Sequence, residues 1–92
     1  MNTDDRIEAT TRALEAAARQ AEMFVSGDLR ISESDLGALL GYSSKYMAQL
    51  RAEGRGPPAF VLGLNGSRIS YRIFDAAVWI EGRREFIGEE IS

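Results

Sequence analysis

The sequence predicts a mostly α protein with one small β-hairpin, built as a single domain with an extra amphipathic helix at its N-terminus. Three observations predict it. Apolar positions recur at helical spacing, with Ile7, Leu14 and Ala21 seven apart, Thr11, Ala18 and Val25 between them, and a second set at Leu36, Leu39 and Leu40. Gly41 and Gly54 stand where two short helices would stop. Asn65-Gly66 separates two β-prone runs, a strong short-range hairpin signal. The 92 residues leave room for one core, because domains commonly run about 50 to 200 residues.

The first helix is expected over Asp4 to Val25, with Thr3 or Asp4 as its cap, acids in its first turn and Gly27-Asp28 at its end. Its stripe is rich in alanine, which buries little area, so it needs a partner surface to persist. Leu29 to Ile31 reads as a short strand or an extended lead-in. Ser32-Glu33-Ser34-Asp35 then follows the pattern of a helix start, with Ile31 and Leu36 placed as a hydrophobic staple. Gly41 ends that short helix, where a left-handed residue costs little without a Cβ. Ser43 is placed to cap a second short helix running to Glu53, with Met47 and Leu50 inward and Ser44, Lys45, Ala48, Gln49 and Ala52 outward. Two short helices across so tight a turn form a helix-turn-helix candidate.

Gly56-Pro57-Pro58 then breaks the helix, and Ala59 to Leu64 and Ser67 to Ile73 are the expected hairpin strands. Alternation puts Ile69, Tyr71 and Ile73 on one face and Arg68, Ser70 and Arg72 on the other. Asp75 is expected to cap a last helix over about Ala76 to Phe86, with Val78, Trp79 and Phe86 as its bulky core candidates. The expected division is therefore an N-terminal helix over 1–27, the main domain over 28–87 and a fraying acidic tail over 88–92.

Composition narrows the chemistry. The chain has no Cys and no His, which removes disulfides, thiolate nucleophiles, imidazole bases and the usual zinc sites, so neither an enzyme nor a metal or other cofactor is expected. The acidic start and short apolar runs resemble neither an export signal nor a membrane span, and point to a cytoplasmic protein. The formal charge of −3 hides a strong segregation. Residues 43–73 carry five cations (Lys45, Arg51, Arg55, Arg68, Arg72) against Glu53 alone, net +4, whereas residues 1–42 are net −4 and residues 74–92 net −3.

The order of helix, tight Gly turn, helix, Gly-x-Gly-Pro-Pro, hairpin, Tyr-Arg, Asp and Trp resembles the excisionase-like winged helix-turn-helix family, of the AlpA and MerR-like type found in phages and mobile elements. The matching residues are Leu36, Leu39, Leu40, Gly41, Ser43, Met47, Leu50, Glu53-Gly54, Pro57-Pro58, Gly63, Tyr71-Arg72, Asp75 and Trp79. The chain departs from the pattern in having Tyr42 after the turn Gly and Ser44-Lys45 where relatives often carry Arg. Ile73 and Phe74 also stand where relatives are polar, and the N-terminal helix is expected to dock there. The resemblance implies double-stranded DNA as partner, with the second helix in the major groove and the hairpin wing over the adjacent backbone or minor groove.

On that reading Ser44, Lys45, Tyr46 and Gln49 face the bases. Ser43, Arg51, Arg55, Arg68, Ser70 and Arg72 complete the expected DNA-binding set. The alternatives are that Tyr46 packs on Leu50, that the arginines form surface ion pairs, and that Phe60, Tyr71 and Trp79 are core aromatics rather than stacking platforms. One module with about five cations makes few phosphate contacts, so a homodimer or a cooperative array is expected. Ile7, Leu14, Ala18, Ala21 and Val25 are the candidate dimerisation residues, or alternatively an intramolecular brace. A second functional class is a protein-interaction adapter that uses the N-terminal helix and the acidic surface and carries no DNA.

Overall fold

The structure, a computed structural model, describes residues 2–63 and 68–83. Its elements run α1 (Thr3–Gln20), β1 (Arg30–Ser32), α2 (Glu33–Leu40), α3 (Ser44–Ala52), β2 (Phe60–Leu62), β3 (Arg68–Arg72) and α4 (Ile73–Gly82). The protein is mostly helical with a small antiparallel sheet of three strands in the order β1-β3-β2. The expected hairpin is thus widened by β1, which pairs with β3 through Arg30 opposite Arg72, Ile31 opposite Tyr71 and Ser32 opposite Ser70. β2 starts at Phe60, one residue after expectation, β3 ends at Arg72, one residue before it, and Asn65-Gly66 lies outside the described residues.

Local chemistry accounts for the middle of the chain. The Ser32 hydroxyl accepts the Asp35 N–H at 3.0 Å and the Ser43 hydroxyl accepts the Tyr46 N–H at 3.0 Å, so each short helix starts on a capping serine. Gly41 closes α2 in the left-handed region at φ +80, which lets the Tyr42 N–H reach the Gly37 carbonyl at 2.8 Å. Gly37 itself is required by packing. A Cβ there would stand 2.8 Å from the Tyr42 carbonyl and 3.0 Å from Met47 Cγ, so only glycine lets α2 come this close to the turn and to α3.

Both ends of α1 and the start of α4 differ from expectation. α1 starts one residue earlier, capped by Asn2, whose side chain accepts the Asp5 N–H at 2.8 Å. It stops at Gln20, not Val25, because Glu22 turns left-handed at φ 60 and the Met23 N–H closes on the Ala18 carbonyl at 2.9 Å. The early stop brings Val25 back onto the core. α4 begins at Ile73 with Arg72 as its cap residue, and Asp75 sits in the first turn, where its charge suits the helix dipole.

The core comprises Ile31, Leu36, Met47, Leu50, Tyr71, Ile73 and Ala76, with Leu14, Val25, Leu39, Leu40, Ala59, Ile69 and Trp79 packed around it. Each fully buried Ile, Leu or Met contributes about 1.5–3 kcal/mol. Val78, an expected core residue, is 40% exposed, and Trp79 only borders the core. Phe86 and the 88–92 tail lie outside the described residues.

α1 packs chiefly along α4. Ala18 is completely buried and Leu14 meets the core, while Ile7 and Thr11 lie beside Phe74, the region where docking is expected. Thr10 Oγ1 donates to Glu81 Oε2 at 2.9 Å across this seam. Ala21 is exposed at the end of the helix. Leu14, Ala18 and Val25 are therefore occupied within the chain, as a brace requires. Among the described residues no helix is long and apolar enough to cross a membrane.

Candidate nucleic-acid interface

The ten residues expected to face DNA fall into three groups. The first lies on α3, whose inward Met47 and Leu50 fix the rotation of the helix. Ser44, Lys45 and Gln49 are consequently exposed, with Ser43 at the capped N-terminus. Lys45 has no hydrogen bond or ion pair among the described residues. Gln49 Nε2 donates to Glu53 Oε2 at 3.2 Å, one turn further on. Tyr46 packs edge-on against Tyr42 with ring centroids 4.9 Å apart, which ties the turn to α3.

The second group is cations that meet acids. Arg51 donates from Nε to Glu33 Oε2 at 2.8 Å and from a terminal nitrogen to Oε1 at 3.4 Å. The same Oε2 accepts the Tyr71 hydroxyl at 2.6 Å. Arg51 therefore serves to join the end of α3 to the start of α2 and to β3. Burial pushes the Glu33 carboxyl up, but the hydrogen bonds from Arg51 and Tyr71 prevail and hold it below the ordinary carboxylate value. Burial and the carboxylate both push the Tyr71 phenol up, so it stays a donor. Arg55 pairs with Glu53 at 2.7 Å and keeps that exposed carboxyl low. Glu53 is already counted in the local +4, but Glu33, from a segment 18 residues away, reduces that excess.

The third group lies on the sheet. Arg68, Ser70 and Arg72 share the sheet's outer face, opposite the buried Tyr71. The β1 pairing adds Arg30 and Ser32 to that face, and the β2 pairing adds Phe60 and Leu62. Phe60 is not a core aromatic: the Arg30 and Arg72 guanidiniums lie 5.1 and 5.3 Å from its ring centroid. Like charges directly opposite on neighbouring strands repel, and the shared ring offsets this by about 0.5–1 kcal/mol per cation at an exposed site. Arg30 is the residue that sequence reasoning missed. Its signal is the alternation of Arg30, Ile31 and Ser32, which is too short to interpret without the partner strand 40 residues on.

Tyr71 and Trp79 keep their expected structural roles. Tyr71 is fully buried. The Trp79 indole N–H donates to the Arg55 carbonyl at 2.9 Å, which anchors the loop after α3 to α4.

The arrangement is an α3 face with small polar side chains and Lys45, unpaired among the described residues, and a sheet face with three guanidiniums. No protein-family model, no curated protein and no solved structure matches the chain.

Proposed function

We propose that the chain is a winged helix-turn-helix protein that binds double-stranded DNA. α3 enters the major groove and the β2–β3 hairpin acts as the wing on the adjacent backbone or minor groove. The observation that carries this reading is the outward face of α3. Ser44, Lys45 and Gln49 project beside a serine-capped N-terminus, on a helix whose rotation is set by Met47 and Leu50 beneath it. Gln49 suits adenine and Lys45 suits guanine, while Ser43 and Ser44 suit phosphate. Arg68 and Arg72 on the hairpin strand supply cations for the flanking backbone.

The test is a gel shift against genomic fragments over a series of salt concentrations. Lys45→Ala combined with Arg68→Ala should lower affinity and reduce the slope of log K against log salt by about one, for the phosphate that Arg68 no longer neutralises. Unchanged affinity and slope would remove the proposed surface.

One observation favours a second reading, the protein-interaction adapter without DNA. Arg51 is held by Glu33 from outside the basic segment, so the cationic surface around α3 is weaker than the local charge balance implies. Failure of the protein to bind heparin or DNA-cellulose at low salt, together with a defined protein complex, would favour the adapter.

A further inference from the structure

The outer sheet face carries a concavity of about 390 Å³ that α3 does not border. Its lining brings Phe24, Ser26 and Leu62 together with Ser70, Arg30 and Arg68. We propose that this concavity docks an extended segment of a partner protein that alternates acidic and apolar side chains. A carboxylate of the segment meets Arg30 and Arg68, and a neighbouring apolar side chain lies between Phe24 and Leu62.

Three features carry the proposal. The first is the mixture of surfaces. Phe24 is 79% exposed and Leu62 47% exposed, so large apolar groups stand in water directly beside guanidiniums. A phosphodiester backbone covers only the cations, whereas an acidic–apolar peptide covers both.

The second is the Asp28 carboxylate beside Arg30. Arg30 Nε donates to both of its oxygens, at 3.0 and 2.8 Å, and Ser26 Oγ donates to it at 2.6 Å. The bonds from Ser26 and Arg30 hold this carboxyl low, so it stays ionised. That pairing engages the Nε edge of Arg30, so an incoming carboxylate falls chiefly to Arg68. Arg68 has no ion pair among the described residues and complements such a carboxylate.

The third is rigidity. The loop that carries Phe24 is pinned, since the Ser26 N–H donates to the Arg30 carbonyl at 3.0 Å and the Arg30 N–H donates to Ser26 Oγ at 2.8 Å. Leu29 in this loop is held left-handed at φ 61, a costly conformation for a side chain of its size. Its carbonyl accepts the Ile73 N–H at 2.9 Å, so the packed start of α4 maintains it. A wall fixed before binding loses little entropy when a peptide docks.

The inference goes beyond the DNA reading. Arg30, Arg68 and Ser70 belong to both surfaces, so the variant that separates the two is at Phe24, which belongs only to this one. The full chain, labelled with nitrogen-15, is titrated with a short synthetic peptide alternating Glu with Leu and Phe. Saturable shifts are expected at the amides of Ser26, Arg30, Ser32 and Ser70. Phe24→Ser and Arg30→Gln should each weaken binding about fivefold or more, the loss typical of truncating an anchoring side chain. Phe24 is exposed, so its variant should keep the wild-type melting temperature. Lys45→Ala should leave peptide binding unchanged, and Phe24→Ser should leave the DNA gel shift unchanged, which separates failure here from failure of the DNA reading. The proposal is overturned by absence of saturable shifts, or by wild-type affinity in both variants. It is also overturned if an oligothymidylate binds the same amides more tightly than the peptide, or if dilution alone moves them because a second copy fills the concavity.

Discussion

Removing the Glu33 side chain should cost far more than its position near the surface implies. Its carboxylate has only 14% side-chain exposure and holds three elements together: the start of α2, the end of α3 through Arg51, and β3 through Tyr71. Arg51 is 34% exposed, so that ion pair is partly screened and is worth about 1 kcal/mol. The Tyr71 hydroxyl is different, because Tyr71 has no exposed surface and its donor would be left unpaired at about 1–3 kcal/mol. Glu33→Ala should therefore destabilise by about 2–3 kcal/mol. At roughly 4–8 °C per kcal/mol for a domain of this size, Tm should fall by about 10–20 °C. Thermal unfolding followed by circular dichroism measures this, and a double-mutant cycle with Tyr71→Phe should show coupling of about 1 kcal/mol. A fall of less than about 3 °C, or strict additivity in the cycle, would refute the reasoning. The pH dependence follows from the same carboxylate. Its folded pKa lies below the ordinary glutamate value of 4.5, so its stabilisation is present above about pH 4.5 and is lost as pH falls through the folded pKa. Glu33→Gln should flatten that acid limb.

Two further substitutions test the packing. Glu22→Gly should stabilise the protein by about 0.5–1 kcal/mol, because the α1 terminus holds Glu22 at φ 60; a lower Tm would contradict a left-handed residue at that position. Gly37→Ala should destabilise by about 1–3 kcal/mol through the clash with the Tyr42 carbonyl and Met47, and denaturant titration showing no change in midpoint would contradict that close approach.

Much of the middle of the chain is legible because its signals act over a few residues. Ser32 and Ser43 cap α2 and α3, Gly41 ends α2, and the inward Met47 and Leu50 predict which face of α3 meets water. Strand alternation likewise separates Arg68, Ser70 and Arg72 from the buried Tyr71. The end of α1 and the start of α4 are not legible. Glu22 in a left-handed cap is statistically unfavourable, and nothing local distinguishes it from a helix continuing to Gly27. Tertiary packing of Val25 on the core accompanies the earlier stop.

The candidate site divides along the same line. The sequence by itself determined the exposed face of α3, because helical geometry and two inward apolar residues suffice to orient it. Only the tertiary structure decided which cations stand clear of acids. Arg51 is taken by Glu33 18 residues away, Arg30 joins the sheet face through a strand 40 residues away, and Phe60 leaves the core to lie beneath two guanidiniums. The physical reason is that capping and side-chain alternation are set by neighbours along the chain. Ion pairs and cation–π contacts depend on which elements meet in space, and those meetings follow from burying Tyr71, Ile31 and Leu36 in one core.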